Sequence, residues 1–558
     1  MASNYVIGLD FGSSSVRALL VDTANGRELA EKSFDYPHGR QGVILDGRNP
    51  NLARQQPADY LLGIKKTIRS VVHRASQIRG FSPDRVVGIG VDTTGSTPMP
   101  IDASGTPLAM LPKFKKNRAA LAWLWKDHTS HIEAGEISEL GRAMRPNYMA
   151  KIGGRYSSEW FWAKLLHCAR TSPEVFDAAA SWVELADFVP AQLTGNVRPE
   201  QIRRGICAAG HKAFFNREWG GYADEEFLGK LDPRLVKVRR SLPNQVYNVS
   251  ASAGRLTAAW ATALGLPENI PVAIGAFDCH LGAIGAGISD NTLVKIMGTS
   301  TCDIMVAPID SGLADIPGLC GIVPESVLPG YFGLEAGQSA VGDIFGWFVN
   351  EIAPGGRIGS YEALTRAAGK LKPGESGLLA LDWHNGNRTV LVDQRLTGAI
   401  VGLTLYSTPA EIYRSLIEAT AFGSRVIMER LEEYGVRCER VINCGGIAAK
   451  NPLIMQIYAD VMGRPIAISR SRQTCSLGSA IAATVVSGVY PNFAEATAAM
   501  TGIQKKVYTP QPAYVAVYDR LYRQYRVLHD AFGVNSAGTG EIAGVMKSLL
   551  TIRDEVRR

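Results

Sequence analysis

Cysteine is sparse and scattered. The 558 residues hold eight (Cys168, Cys207, Cys279, Cys302, Cys320, Cys438, Cys444 and Cys475), none in a CxxC pair and none with a histidine at metal-ligand spacing. That pattern excludes a disulfide framework and argues against a structural zinc. No apolar run approaches the roughly 18 residues a membrane span needs, and residues 1–4 enter an apolar strand with no basic segment before it. Neither a membrane span nor a secretory leader is expected. Excess charge of one sign is small as well: Lys+Arg 59 against Asp+Glu 52 leaves a formal +7, and the densest basic run is only Lys113, Lys115, Lys116 and Arg118. Diluted over so large a surface, it reads as a solvated loop and not as a nucleic-acid footprint. There is no GxxxxGK(S/T) and no GxGxxG opening a helix, so a P-loop and a Rossmann dinucleotide site are excluded. What remains is 46% hydrophobic and 20% charged with no low-complexity tract, the profile of a globular chain of more than one domain. A reduced, cytoplasmic enzyme is expected.

Along the chain, residues 5–34 read as strand, Gly/Ser turn, strand, Asn25-Gly26 turn and strand. An Asn-Gly pair favours a hairpin because both residues can take positive φ. Residues 86–92 (VVGIGVD) form another apolar strand ending in a loop at 93–98. A third, at 271–275, delivers Phe277, Asp278, Cys279 and His280, after which Gly282, Gly285 and Gly287 are expected to break the chain. Residues 292–297 then lead into Gly298-Thr299-Ser300-Thr301, an echo of the N-terminal strand and turn, which places a domain boundary near 287–291. Further on, Thr408-Pro409-Ala410-Glu411 has capping-box order, and Ile412, Leu416, Ala419, Phe422 and Val426 share one helical face up to Gly435. Residues 441–444 read as a strand, Gly445-Gly446 as a tight loop, and Asn451-Pro452 as the start of a helix ending near Gly463. Residues 535–540 resemble a linker, and the last eighteen residues a terminal amphipathic helix.

Several of these segments can carry chemistry. Asp10 ends a buried strand before Gly12, Ser13, Ser14 and Ser15, whose free backbone N–H groups can cradle phosphate oxygens while the carboxylate reaches a hydrated Mg²⁺; an Asp-capped hairpin is the alternative. Gly298, Thr299 and Ser300 invite the same two readings. One such turn from each half favours a nucleotide clamp over either alone. Asp278 is a candidate proton acceptor for a hydroxyl attacking phosphorus, or else a helix cap. His280 reads as packed or hydrogen-bonded. Lys212 and Glu335 sit among small neighbours that admit a ligand, with a solvated side chain or an ion pair as the alternative. Trp123, Trp125, Trp160 and Trp162 can wall a sugar site or belong to the core.

Taken in order, the runs IGLDFGSSSVRALLVD, VVGIGVDTTGSTP, LWKDHT, GGRYSSEWFWAKLLH, AAGHKA, GAFDCHLGAIGAG, IMGTSTCDI, GLEAGQSAVGDIFGWF, LDWHNGNR, ATAFGSR and CGGIAAKNPLIMQIYADV resemble the FGGY family of carbohydrate kinases, over residues 5 to about 485. The resemblance implies two ribonuclease-H-like α/β lobes of the actin-type ATPase superfamily with a cleft between them. The first lobe (1–287) would bind sugar and carry the catalytic base, the second (288–534) would bind ATP, and 535–558 would be linker and terminal helix. The activity implied is phosphorylation of L-ribulose to L-ribulose 5-phosphate by ATP and Mg²⁺, a step of L-arabinose catabolism. By the same resemblance the base falls on Asp278 and the metal carboxylate on Asp10. The phosphate loops fall on Gly12, Ser13, Ser14 and on Gly298, Thr299, Ser300, and the adenosine contacts on Gly445, Gly446 and Asn451. The ketopentose contacts fall on Gly95, Lys212, Asp278 and Glu335. Asp127 occupies a Trp-x-Asp element whose usual following Arg is here His128, which leaves the role of Asp127 open.

The nearest rival is a sister kinase for xylulose, glycerol or another polyol, disfavoured by the AGHK and LEAGQ runs. A non-catalytic actin-like nucleotide switch would keep Asp10 and the glycine turns but would not need Asp278. A homodimer is the expected assembly, with no nucleic-acid or membrane partner.

Overall fold

The computed structural model describes residues 4–354, 360–534 and 540–556. Two seven-stranded sheets organise the chain. In the first, the meander Tyr5–Phe11, Ser15–Asp22, Glu28–Asp35 is antiparallel, and Val86–Thr93 joins the Tyr5–Phe11 edge in parallel, followed by Pro271–Ala273 and Ser252–Arg255. The second repeats the plan: Thr292–Met297 and Thr301–Pro308 pair antiparallel, with Tyr331–Ala336 and Gly321–Pro324 beyond, while Arg440–Cys444 lies parallel to Thr292–Met297 on the other side. This is the expected pair of ribonuclease-H-like lobes. The first strands, YVIGLDF and TLVKIM, are buried along nearly their whole length, as strands covered on both faces must be.

The lobes are joined by two crossing helices, Asp278–Ala286 and Thr474–Val486. Here the expected break at Gly282 and Gly285 is corrected: the helix runs through both glycines and ends at Gly287, whose φ is +87. Its glycines serve close approach. A Cβ at Gly285 would lie 1.9 Å from the Thr474 carbonyl oxygen, and one at Gly478 1.8 Å from that of Leu281. The second helix also covers the first sheet, so Val6, Leu19 and Val21 share one core with Leu477, Ala480 and Ile481.

Two further local readings change. In the Asn25-Gly26 turn only Gly26 takes positive φ, while the Asn25 side chain accepts the Arg27 N–H at 2.9 Å. Gly446 opens a short helix, Gly446–Lys450, instead of continuing a loop. The helix Pro409–Glu433 carries the expected capping box at Thr408 and Glu411. Residues 535–539 of the expected linker lie outside the described residues, and Gly540–Val556 is helical as expected. All eight cysteines are free, and no helix among the described residues is long and apolar enough to cross a membrane.

Candidate active site in the cleft

A cavity of about 520 Å³ opens between the lobes. Its floor is built from strand ends. Gly12 and Ser13 follow the first strand, and the Gly12 N–H donates to the Ser15 carbonyl at 2.9 Å. Gly298, Thr299 and Ser300 follow the equivalent strand of the second sheet, with the Gly298 N–H donating to the Ser300 carbonyl at 2.9 Å. Both turns thus present small residues to one space. Trp125 ties its indole N–H to Ser13 Oγ at 2.9 Å. Gly95 also lines the cavity, and a Cβ there would lie 2.3 Å from the Phe277 ring.

Asp278 is the first residue of its helix and borders the cavity. Its Oδ1 accepts the Cys279 N–H at 2.7 Å, and burial, reinforced by the charge of Asp10, pushes the carboxyl up to about 7. Asp10 itself pairs in register with Asp92 across neighbouring strands, and Arg17 Nη1 stands 3.6 Å from Asp10 Oδ2. Burial raises both carboxyls, and Asp92 Oδ1 is a buried acceptor with no donor. Three carboxyl groups therefore interact with less compensating charge than they need, Asp278 at the cavity and Asp10 and Asp92 behind its lining.

Lys212 and Glu335 meet directly. Lys212 Nζ lies 2.9 and 3.2 Å from the two Glu335 oxygens, although one residue ends a helix of the first lobe and the other sits on the second sheet. A sugar need not bridge them to bring them together; it would add its hydroxyls to an existing pair. His211 Nδ1 and His280 Nε2 lie 3.4 and 3.7 Å from Glu335 Oε2, and the two rings share an N···N contact of 3.2 Å. Linear spacing gave no sign of it, but in the fold His211, His280 and Glu335 bring ligand atoms within 4.8 Å of one another, a cluster that could hold a metal ion. Lys212 already supplies the cation at that carboxylate. Burial lowers both imidazoles, His280 to about 4, so both are neutral beside Glu335, whose carboxyl is held well below its usual range by Lys212 despite burial; His211 Nε2 bonds Ser326 Oγ at 2.9 Å while its Nδ1 has no hydrogen-bond partner. His280 is packed and hydrogen-bonded, as expected.

Other expected positions separate. Trp125 and Trp160 line the cavity, whereas Trp123 and Trp162 are core. Asp127 is fully buried, ion-paired with Arg54 and accepting the Ala53 N–H at 2.7 Å, so it anchors the wall and does not line the cavity; His128 bonds Ser158 Oγ at 3.1 Å. Asp10, Ser14, Gly445, Gly446 and Asn451 also lie outside the cavity lining. Gly445, with φ +93, abuts the Met297 carbonyl just before the second turn, and Asn451 caps the helix Pro452–Met462 by accepting the Ile454 N–H. Sequence reasoning missed Tyr156, Glu159 and Arg388 in the lining. All three lay in quoted motifs, Tyr156 and Glu159 in GGRYSSEWFWAKLLH and Arg388 in LDWHNGNR, without being singled out.

Comparison with known proteins agrees with this geometry. The model of the FGGY family of carbohydrate kinases, N-terminal domain, matches residues 5–285, and that of the C-terminal domain matches 293–487. The chain is 44% identical over 543 residues to the ribulokinase of Vibrio parahaemolyticus, covering 94% of this chain and 95% of that one. It is 39% identical over 551 residues to the ribulokinase of Geobacillus thermodenitrificans, covering 96% and 95%. Among solved structures, the xylulose kinase of Rhodospirillum rubrum superposes with TM-score 0.77 at 22% identity over 95% of this chain and 99% of that one. The gluconate kinase of Lactobacillus acidophilus gives 0.77 at 18% over 97% and 99%. At such identities the structures establish the fold, a two-lobed actin-like ATPase architecture.

Proposed function

The chain belongs to the FGGY family of carbohydrate kinases, and from that premise we propose that it transfers the γ-phosphoryl group of ATP to L-ribulose, forming L-ribulose 5-phosphate. The observation that carries this reading is the convergence of both Gly/Ser turns, Asp278 and the Lys212–Glu335 pair on one cavity. A kinase needs phosphate cradles, a proton acceptor and polyol contacts within one closed space. The likeness to ribulokinases over nearly the whole chain supports the choice of sugar.

In this reading Asp278 accepts the proton of the attacking hydroxyl. A carboxyl pushed up to about 7 is about half ionised at neutral pH and is a far stronger base than an ordinary aspartate. Gly12, Ser13 and Ser14 face the phosphates from one lobe and Gly298, Thr299 and Ser300 from the other, while Gly445, Gly446 and Asn451 hold the adenosine. Gly95 offers its backbone to the ketose, and Lys212 and Glu335 offer donors and acceptors. The residues present fit Mg²⁺: Asp10 with Asp92 supplies hard oxygen ligands, and the orphaned Asp92 Oδ1 marks unmet demand for a positive partner. When bound, that ion offsets the negative charge of the phosphates.

The test is product analysis after incubation with MgATP and a panel of ketopentoses and polyols. L-ribulose is expected to be phosphorylated with the highest kcat/KM. Preference for xylulose or glycerol would replace the sugar assignment, and no phosphorylation of any sugar would defeat the reading as a whole.

A further inference from the structure

Arg388 lines the cavity, yet its guanidinium has no hydrogen bond and no ion pair with any described residue. That is unusual in a half-buried arginine, whose five donors normally find acceptors. Its charge is favoured: burial works against it, but its surroundings, Glu159 foremost with Cys302, Cys320 and Glu335, raise its pKa. A held charge with free donors, facing the space beside Glu335, is in want of an oxygen-rich ligand.

The backbone that delivers it is strained on purpose. Val390 and Val392 have φ of +94 and +50, conformations that β-branched residues adopt only when their surroundings impose them. Several ties impose them here. Asn387 and Asp393 exchange two backbone hydrogen bonds of 2.9 Å, Asn387 Oδ1 accepts the Leu391 N–H at 3.1 Å, and the Val390 N–H donates to Gly318 at 3.3 Å. The terminal helix Gly540–Val556 adds the rest: Lys547 Nζ meets Asp393 Oδ2 at 2.6 Å, and Arg395 Nη2 donates to Thr551 Oγ1 at 2.9 Å and to the Lys547 carbonyl at 3.1 Å. The helix thus pins a strained loop of which Arg388, Val392, Gln394 and Arg395 line the cavity.

We propose that Arg388 is a further substrate-binding residue, donating to oxygens of the bound sugar, and that the terminal helix positions it through Asp393 and Arg395. This inference rests on the kinase reading above but not on the identity of the ketose. Its test therefore uses whichever sugar of the panel the wild type phosphorylates, so that a wrong sugar and a wrong residue give different results. Arg388→Met and Arg388→Lys are compared with wild type by steady-state kinetics, each substrate varied in turn, and by calorimetric titration of the sugar without nucleotide. Both variants are expected to raise the sugar KM about 10- to 100-fold, Lys because it lacks the planar fork, with the KM for ATP within about twofold. Lys547→Ala is expected to raise the sugar KM a few-fold, again sparing ATP. An unchanged sugar KM in Arg388→Met, or equal losses toward sugar and ATP, overturns the assignment of Arg388. If either variant is too weakly active for kinetics, the titration decides: sugar affinity equal to wild type overturns it. An unchanged sugar KM in Lys547→Ala overturns the role of the terminal helix.

Discussion

The two hairpins that floor the cleft are built alike and charged differently. In each, the residue behind the turn on the first strand pairs in register with a residue on the second strand: Asp10 with Arg17, Lys295 with Asp303. In the second lobe the pair is closed, Nζ to Oδ2 at 2.6 Å with both side chains wholly buried. In the first it is loose, 3.6 Å apart, with Arg17 33% and Asp10 17% exposed, and the carboxylate has exchanged strands with the cation. One duplicated frame thus holds a charge consumed by structure and a charge left for a ligand. The distinction matters because a buried pair resists removal of one partner, while an open carboxylate tolerates neutralisation and loses only its ligand.

The largest effect tests which lobe holds the reacting group. Asp278→Asn keeps the shape and removes the proton acceptor, so kcat is expected to fall by roughly 10² to 10⁴, with sugar binding measurable by titration. Turnover above about a tenth of wild type would remove Asp278 from the chemistry. Next comes the hairpin contrast itself. Lys295→Met strands Asp303 in the core and is expected to cost about 3–5 kcal/mol, read as a lowered denaturant midpoint. Asp10→Asn is expected to raise the Mg²⁺ concentration for half-maximal activity about tenfold or more, with the midpoint barely moved. Had the two variants the same phenotype, the contrast between sealed and open carboxylates would be wrong.

How far the sequence alone reaches follows the same divide between local and distant causes. The strands 5–11 and 292–297 and the turns after them were legible because apolar runs ending at Gly/Ser clusters state their structure within ten residues. The placement of Asp278 after a buried strand and at the start of a helix was legible for the same reason, and the role proposed for it came from the family resemblance. What failed depended on partners far away in sequence. Gly282 and Gly285 look like breakers until Thr474 and Gly478 are seen packed against their helix. His211 and His280 are 69 residues apart, and only the fold sets their rings against each other and Glu335. Whether a Trp walls the site or fills the core turned on a shift of two residues, Trp125 and Trp160 against Trp123 and Trp162. Arg388 sat unmarked in a quoted motif because an arginine without a partner is visible only when the neighbours are known.

A smaller effect probes the pair that spans the lobes. Lys212→Ala and Glu335→Ala are each expected to raise the sugar KM roughly 10- to 150-fold, the value of a lost hydrogen bond to a charged group, while the KM for ATP changes little. The Glu335 variant carries the larger structural penalty, because Lys212, fully enclosed, is then left without its counter-charge. A defect confined to ATP would place the ketose elsewhere in the cleft.

The smallest effect gives the sharpest view of the open side of the comparison, because it separates stability from function at one carboxyl. Asp278 has its pKa raised from 3.8 to about 7 in the fold by burial and by Asp10. Between those values the native state holds a proton that the unfolded chain has released. Stability therefore falls as pH rises through this window, and the penalty is complete above about pH 7. Asp278→Asn removes it. The variant is expected to be more stable than wild type at pH 8, by about 1–2 kcal/mol once solvent in the cleft is allowed for, and no more stable at pH 4, where both side chains are uncharged. Activity runs the other way: wild-type kcat/KM should rise with pH through about 7 and level off as the carboxylate forms, since only the ionised group accepts the sugar's proton. Denaturant midpoints of both proteins at pH 4, 6 and 8, beside the pH profile of the wild type, measure the two trends. A stability difference that does not grow with pH would mean that Asp278 is ionised without cost, and that the crowding of carboxylates behind the first turn is relieved within the protein itself.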